Sequence, residues 1–248
     1  MSLIDPRAII DPSAELAEGV AIGPWTMIGP NVKIGAGTVI NSHVVVKGPT
    51  TIGKNNRIFQ FSTIGEDTPD MKYAGEPTQL VIGDNNSFAV LLSKDFGEVF
   101  DIKIKAVSDI FVKVVGSHCI LVNNASLAGH VDLGDWAILS GYVLVHQFVS
   151  IGPHTLIGPA AFLPQDVPAY VMAFGSPAEP KTINAEGLRR RGFAKEAISA
   201  IKQGYKILYR QGLSLDEALE KLDALSIEHP EVQPLVDSVR ASSRGIIR

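Results

Sequence analysis

The chain has one cysteine, Cys119, so it can form no internal disulfide, and a lone thiol fits a reducing compartment. Long apolar runs are also missing. Nothing approaches the roughly 18 unbroken apolar residues of a membrane-spanning helix. Met1 to Pro6 has neither a basic stretch nor an apolar one, so no secretory signal is expected there. These absences point to a cytoplasmic protein with no integral membrane segment. Excess positive charge is lacking as well. The formal net charge is −4, which gives no global reason to expect nucleic acid as a partner.

What is present is a repeat. Stepping by six from Ile10 lands on Leu16, Ile22, Ile28, Ile34, Ile40, Val46, Ile52, Ile58 and Ile64, and every stop is aliphatic. A second run begins at Val115 and continues through Leu121, Leu127, Leu133, Leu139, Val145, Ile151, Ile157 and Leu163. Glycine often follows, as at Gly23, Gly35, Gly53, Gly116, Gly134 and Gly152. A period of six fits neither the helical 3.6 nor simple strand alternation. Six extended residues cover roughly 20 Å. A short strand and a corner, repeated, wind a three-sided coil whose aliphatic residues stack inside it. The glycine after each is expected to let the backbone turn. The fold class is therefore mainly β, a parallel β-helix of hexapeptide repeats.

The ladder fails twice. Glu66 to Leu80 holds two prolines, an Ala-Gly pair and several charges, and reads as a loop thrown out from the wall. Ser87 to Val114 is apolar but out of phase, with Gly97 as its only glycine. It does not read as hexapeptide coil and is expected to be poorly ordered or to bulge from the prism. From Asn184 the pattern turns helical, with apolar spacing at Phe193, Ala197, Ile198, Ile201, Tyr205 and Leu208. Ser214 and Glu217 form the signature of a capping box, and a third helical segment follows Pro230. The expected organisation is a β-helix over 1–182, with a loop at 66–80 and an aberrant segment at 87–114, then a small helical domain over 183–248. Tyr205, Leu208 and Tyr209 read as core between the helices. Trp25 and Trp136 read as core or as a contact between copies.

Several stretches are more specific than the repeat: SHVVVKGPTTIG (42–53), QFSTIGE (60–66), DMKYAGEPT (70–78), HCILVNNASLAGHV (118–131), HQF (146–148), QDVPAYV (165–171), GLRRRGF (187–193) and the terminal RGIIR (244–248). By these the chain resembles the acyl-carrier-protein–dependent UDP-N-acetylglucosamine O-acyltransferases of the lipid A pathway. The likeness runs end to end except over residues 87–114. It implies a left-handed coil, a cytoplasmic homotrimer, and active sites in clefts between subunits. It implies transfer of an (R)-3-hydroxyacyl group from acyl carrier protein to the 3-hydroxyl of UDP-N-acetylglucosamine, the first step of lipid A synthesis. No metal or organic cofactor is implied.

Residue by residue, the resemblance puts Asp70 and Lys72 in the loop that approaches the sugar. The backbone at Gly129, with His130, falls where an N–H faces the developing oxyanion. His146 and Gln147 match sugar-nucleotide contacts. Asn184, Glu186, Arg190 and Arg191 match the nucleotide end, where guanidinium groups suit a diphosphate. Pro159 stands at the position that limits acyl-chain depth. The family's general base is a histidine followed by aspartate, just before the Val-Gly at 115–116. Counting back from Gly116 puts Phe111 in the base position and Val112 in place of the aspartate, and no histidine occurs from Ser87 to Ser117. A compensated frame shift in the gene would leave one unrelated segment between matching flanks. A natural variant that lost catalysis would do the same. Either leaves the chain a poor catalyst.

Other readings are weaker. The chain could be an inactive trimeric homologue that binds a nucleotide sugar or acts as a scaffold. It could be a hexapeptide acyltransferase with another donor, such as acetyl-CoA, though the KYAGEP and GLRRRGF motifs argue against that. Of the six histidines, His118 and His130 are twelve residues apart, a spacing that could put them two rungs along one wall, but His118-Cys119 alone is too little for a metal site. Arg189, Arg190 and Arg191 lack the interleaved aromatics of a nucleic-acid surface.

Overall fold

A computed structural model describes residues 3–66, 78–88, 91–93, 111–122, 124–128 and 130–248. Short strands turn in order through three walls. Ile9–Ile10 joins the first, Glu15–Leu16 the second and Ala21–Ile22 the third, and the cycle repeats. Among the described residues the walls hold eight, seven and nine strands. All pairing is parallel except the final hairpin of Val171–Phe174 with Glu179–Ile183. Outside the two interruptions a wall residue of a coil pairs with the one eighteen further on: Ile10 with Ile28, Ile28 with Val46, Val46 with Ile64. Three hexads thus close one coil. His118 and His130, twelve apart, lie on different edges rather than on one wall.

The aliphatic ladder faces inward. From Ile22 to Ile64 every six-step residue is buried, as are those from Val115 to Leu163. Burying each such side chain contributes about 1.5–3 kcal/mol relative to leaving it in water. Four residues after each ladder position the chain points inward again, and there only a small side chain fits. Val20, Thr26, Thr38, Val44, Asn56, Ser62, Cys119, Ala125, Ala137 and Ala161 are all buried at this second inward position.

The corners differ from expectation. The left-handed backbone falls three residues after the ladder residue, mostly on non-glycine residues: Trp25, Asn31, His43, Asn55, Phe61, His118, His130, Trp136, His154 and others have φ near +60°. The glycines after ladder residues of the second wall serve a different purpose. A Cβ on Gly35 would lie 2.5 Å from the Gly53 carbonyl carbon, and one on Gly134 would lie 2.6 Å from the Pro153 nitrogen. These glycines allow adjacent coils to touch at the edge between the second and third walls. Trp25 and Trp136 are corner residues, not core. Trp25 is 55% exposed.

The two interruptions are shorter than the spacing suggests. Thr78–Ile82 is already second-wall strand, pairing Leu80 with Thr50 and Ile82 with Ile52. Ser87–Phe88, Leu91–Ser93 and Phe111–Val115 all take their places in the walls, with Val115 opposite Ile82. Ile52 and Ile82 are thirty residues apart, and Ile82 and Val115 thirty-three, instead of eighteen. The first excursion adds twelve residues and keeps the six-step phase, whereas the second adds fifteen, so the ladder resumes in a new phase at Val115. Residues 67–77 and 94–110 lie outside the described residues.

After Ile183 come four helices: α1 (Ala185–Arg190), α2 (Lys195–Arg210), α3 (Leu215–Glu228) and α4 (Gln233–Ala241). The Ser214 hydroxyl accepts from Glu217 N, and the Glu217 carboxylate accepts from Ser214 N, closing the expected box on α3. Tyr205 and Leu208 are buried where α2 meets its neighbours. The chain's end returns to the coil. Buried Asp166 accepts from Ser150 N and from the Ser242 hydroxyl, and Ile247 N donates to Asp166 O. Exposed apolar side chains collect on and beside the edge between the third and first walls: Trp25, Met27, Phe59, Phe61, Tyr142 and Leu144.

Candidate active site

Two edges of the coil carry the polar residues singled out by the sequence. The first lies between the first and second walls. His146 and Gln147 directly follow the ladder residue Val145, and the His146 Nδ1 sits 3.0 Å from the Gln147 carbonyl oxygen. One coil away His130 takes a left-handed corner, and its ring stacks on Phe148 with centroids 4.5 Å apart. Beyond His130, Asp132 pairs in register with Val114. Burial raises the Asp132 carboxyl above its ordinary range, opposed by the charge of His130. The same register sets Val115 over Leu133. Asp70, Lys72 and Gly129 lie outside the described residues, as does the side chain of Phe111.

The second edge lies between the second and third walls. There His118, Trp136 and His154 follow at eighteen-residue intervals, with Tyr170 next. His118 stacks on Trp136 at 4.0 Å, Trp136 faces His154 at 6.3 Å, and His154 faces Tyr170 at 5.6 Å. Helix α1 lies on this column and is fastened to it at both ends. Asn184 is buried. Its side-chain oxygen caps the helix by accepting from Gly187 N, and its Nδ2 donates to His154 O. Arg191 follows the last residue of α1. Its guanidinium donates to Trp136 O at 3.0 Å, lies 3.1 Å from His154 Nδ1, and sits 5.0 Å from the centre of the Trp136 ring. Burial, with the charge of Arg191, pulls His154 down to a pKa of about 4. Glu186 pairs with Arg189 and Arg190 on the exposed face of α1.

Within one chain these two groups stand on opposite edges of the second wall, separated by one hexad, or roughly 20 Å. Pro159 is exposed on the third edge, next to Ala160. Among the described residues no cluster of three or more histidine, cysteine or acidic side chains could hold a metal ion.

The family-model comparisons match residues 13–48 to the bacterial transferase hexapeptide of six repeats, and residues 166–247 to domain 2 of UDP-N-acetylglucosamine O-acyltransferase. The acyl-[acyl-carrier-protein]–UDP-N-acetylglucosamine O-acyltransferase of Stutzerimonas stutzeri is 54% identical over 258 residues, covering 100% of both chains. That of Pseudomonas entomophila is 55% identical with the same coverage. The chain belongs to the UDP-N-acetylglucosamine O-acyltransferase family. Solved structures agree. The family's enzyme from Moraxella catarrhalis shares 39% identity with a TM-score of 0.83, covering 100% of both chains. That from Francisella novicida shares 39% with a TM-score of 0.81, covering 99% of this chain and 94% of its own. Against the Stutzerimonas relative, 258 aligned residues leave at least ten positions with no counterpart in these 248 residues.

Sequence reasoning read Trp136 as core or as a contact between copies and gave His154 no role of its own, and it did not bring the two together with Arg191.

Proposed function

We infer that this chain binds UDP-N-acetylglucosamine and accepts the (R)-3-hydroxyacyl group of acyl carrier protein on the sugar's 3-hydroxyl, with turnover strongly impaired. The family's full-length identity supports the substrate pair. The impairment rests on a single observation: no histidine occurs from Ser87 to Ser117, where the family resemblance calls for the base and the count back from Gly116 gives Phe111. A phenyl ring cannot take the proton of the sugar hydroxyl. General-base contributions are typically 10²- to 10⁴-fold, so their loss leaves positioning and the oxyanion contact to act alone.

The remaining assignments follow from the same reading. Gly129 N–H would hold the oxyanion. Asp70, Lys72, His130, His146 and Gln147 would hold the sugar, and Asn184, Glu186, Arg190 and Arg191 the nucleotide end. Pro159 would limit the acyl chain. The described residues assigned to the sugar and the nucleotide lie on two separate edges of one prism, and this supports a homotrimer in which one copy's edge faces another's. The apolar strip of Trp25, Phe61 and Tyr142 supports burial between copies. No helix among the described residues is long and apolar enough to cross a membrane, which is compatible with work in the cytoplasm.

The missing histidine also favours a second reading, a nucleotide-sugar-binding homologue without turnover. Calorimetric titration with UDP-N-acetylglucosamine tests what both share. Saturable binding supports them. Absence of heat at millimolar ligand sinks both.

A further inference from the structure

Arg191 does not extend freely from its helix. Two of its five N–H groups are engaged by its own chain, one by the Trp136 carbonyl and one by His154 Nδ1. The guanidinium carbon also sits over the Trp136 indole, 5.0 Å from the ring centre. An arginine can only donate, so His154 Nδ1 must carry a lone pair, and the ring's proton sits on Nε2. His118 backs the other face of Trp136 at 4.0 Å and 6°, which keeps the indole from tilting away. Phe193 closes over His154 edge-on at 5.3 Å. His154 is tied from a second side as well, because Asn184 Nδ2 donates to its carbonyl. Both ends of α1 therefore meet at one corner residue.

A flexible arginine loses about 2 kcal/mol of rotamer freedom on being fixed. One already fixed meets its anion with that loss behind it. We propose that Trp136 and His154 are positioning residues that hold the Arg191 guanidinium ready for the diphosphate of the sugar nucleotide. Their contribution is to affinity rather than to the chemical step, and it rests on the reading above that Arg191 faces that diphosphate. His154 suits the task for a backbone reason too. It occupies a left-handed corner at φ +61°, where asparagine and histidine are better tolerated than most residues.

The test is calorimetric binding of UDP-N-acetylglucosamine to the full-length chain and to H154A, H154N, W136L, R191A and the double variant H154A/R191A. Asparagine places an oxygen near the Nδ1 position and accepts the left-handed corner. The expected result is about a tenfold weaker Kd for H154A, the size of one lost charge-assisted hydrogen bond, and a Kd weaker by about threefold or more for W136L, which keeps its carbonyl and loses the ring under the guanidinium. H154N should stay within about twofold of the unmodified chain, and H154A should cost nothing further in the R191A background. Wild-type binding with H154A unchanged overturns the positioning role alone. So does an H154A loss that persists in full without Arg191, or one that H154N fails to rescue. If the unmodified chain does not bind, this role falls together with the reading it rests on.

Discussion

Asn56 and Asn86 stack one coil apart inside the prism, and the Asn56 Oδ1 accepts the backbone N–H of Asn86 at 2.9 Å. Asn86 repeats the move one coil on, accepting from Cys119 N at 2.6 Å. Both side chains also donate to Gly83 O at 3.0 Å. This run bridges the two places where the eighteen-residue coil is interrupted. It fixes the register of coils that are thirty and thirty-three residues apart in sequence.

Replacing Asn86 by alanine leaves the Cys119 N–H without its acceptor in a dry interior, which costs about 1–3 kcal/mol. N86A should therefore melt several degrees below the unmodified chain in a calorimetric scan. An unchanged melting temperature would show that the ladder does not hold the register.

Cys119 occupies the small inward position of its hexad, and its Sγ lies 3.3 Å from Gly134 O. Burial pushes the thiol up to a pKa of about 12. The thiolate is the reactive form, so the native protein should resist a disulfide reagent at pH 8 and react fully in denaturant. Alanine fills the same position at Ala125 and Ala137, so C119A should fold with a loss of about 1 kcal/mol.

The depressed pKa of His154 has a direction in stability. The group is neutral in the fold down to about pH 4, whereas the unfolded chain takes up a proton near 6.5. Between these values the unfolded state binds more protons, so stability is full above about 6.5 and falls as pH drops toward 4. Burial is the main cause, and Arg191 adds to it while Asp135 opposes it. The His154 ring resonances in an NMR titration should move near pH 4 in the native protein and near 6.5 in R191A at most. A native midpoint at 6.5 would contradict the contact with Arg191.

If the site is shared between copies, H130A and R191A damage different chains at any one cleft. Each variant alone should lose UDP-N-acetylglucosamine affinity at every site. Co-refolded mixtures should regain a fraction of tight sites, because some clefts then combine two intact edges. Mixtures that bind no better than the single variants would place both residues in one chain's own site.

The fold was largely legible because one physical constraint repeats: an aliphatic residue every six positions has only the coil interior to enter. The same count hid the coil across Ser87–Val115, because excursions of arbitrary length reset the phase while the strands still pair. Glycine was misread in its reason. At Gly35 and Gly134 it permits contact between coils, and Trp25, His43 and Trp136 make the left-handed turns that were assigned to it. The stack of Trp136, His154 and Arg191 was invisible for a simpler cause. Its members are 18 and 37 residues apart, and only the closed coil with a helix folded back onto it brings them together.

The proposed loss of the base is tested most directly by the rate of (R)-3-hydroxyacyl transfer from acyl carrier protein to UDP-N-acetylglucosamine, measured on the purified full-length chain beside the Stutzerimonas stutzeri relative. A rate lower by about a hundredfold or more, with the sugar nucleotide still bound, is the result the proposed placement of Phe111 at the base position predicts. A rate within about tenfold of the relative would contradict it.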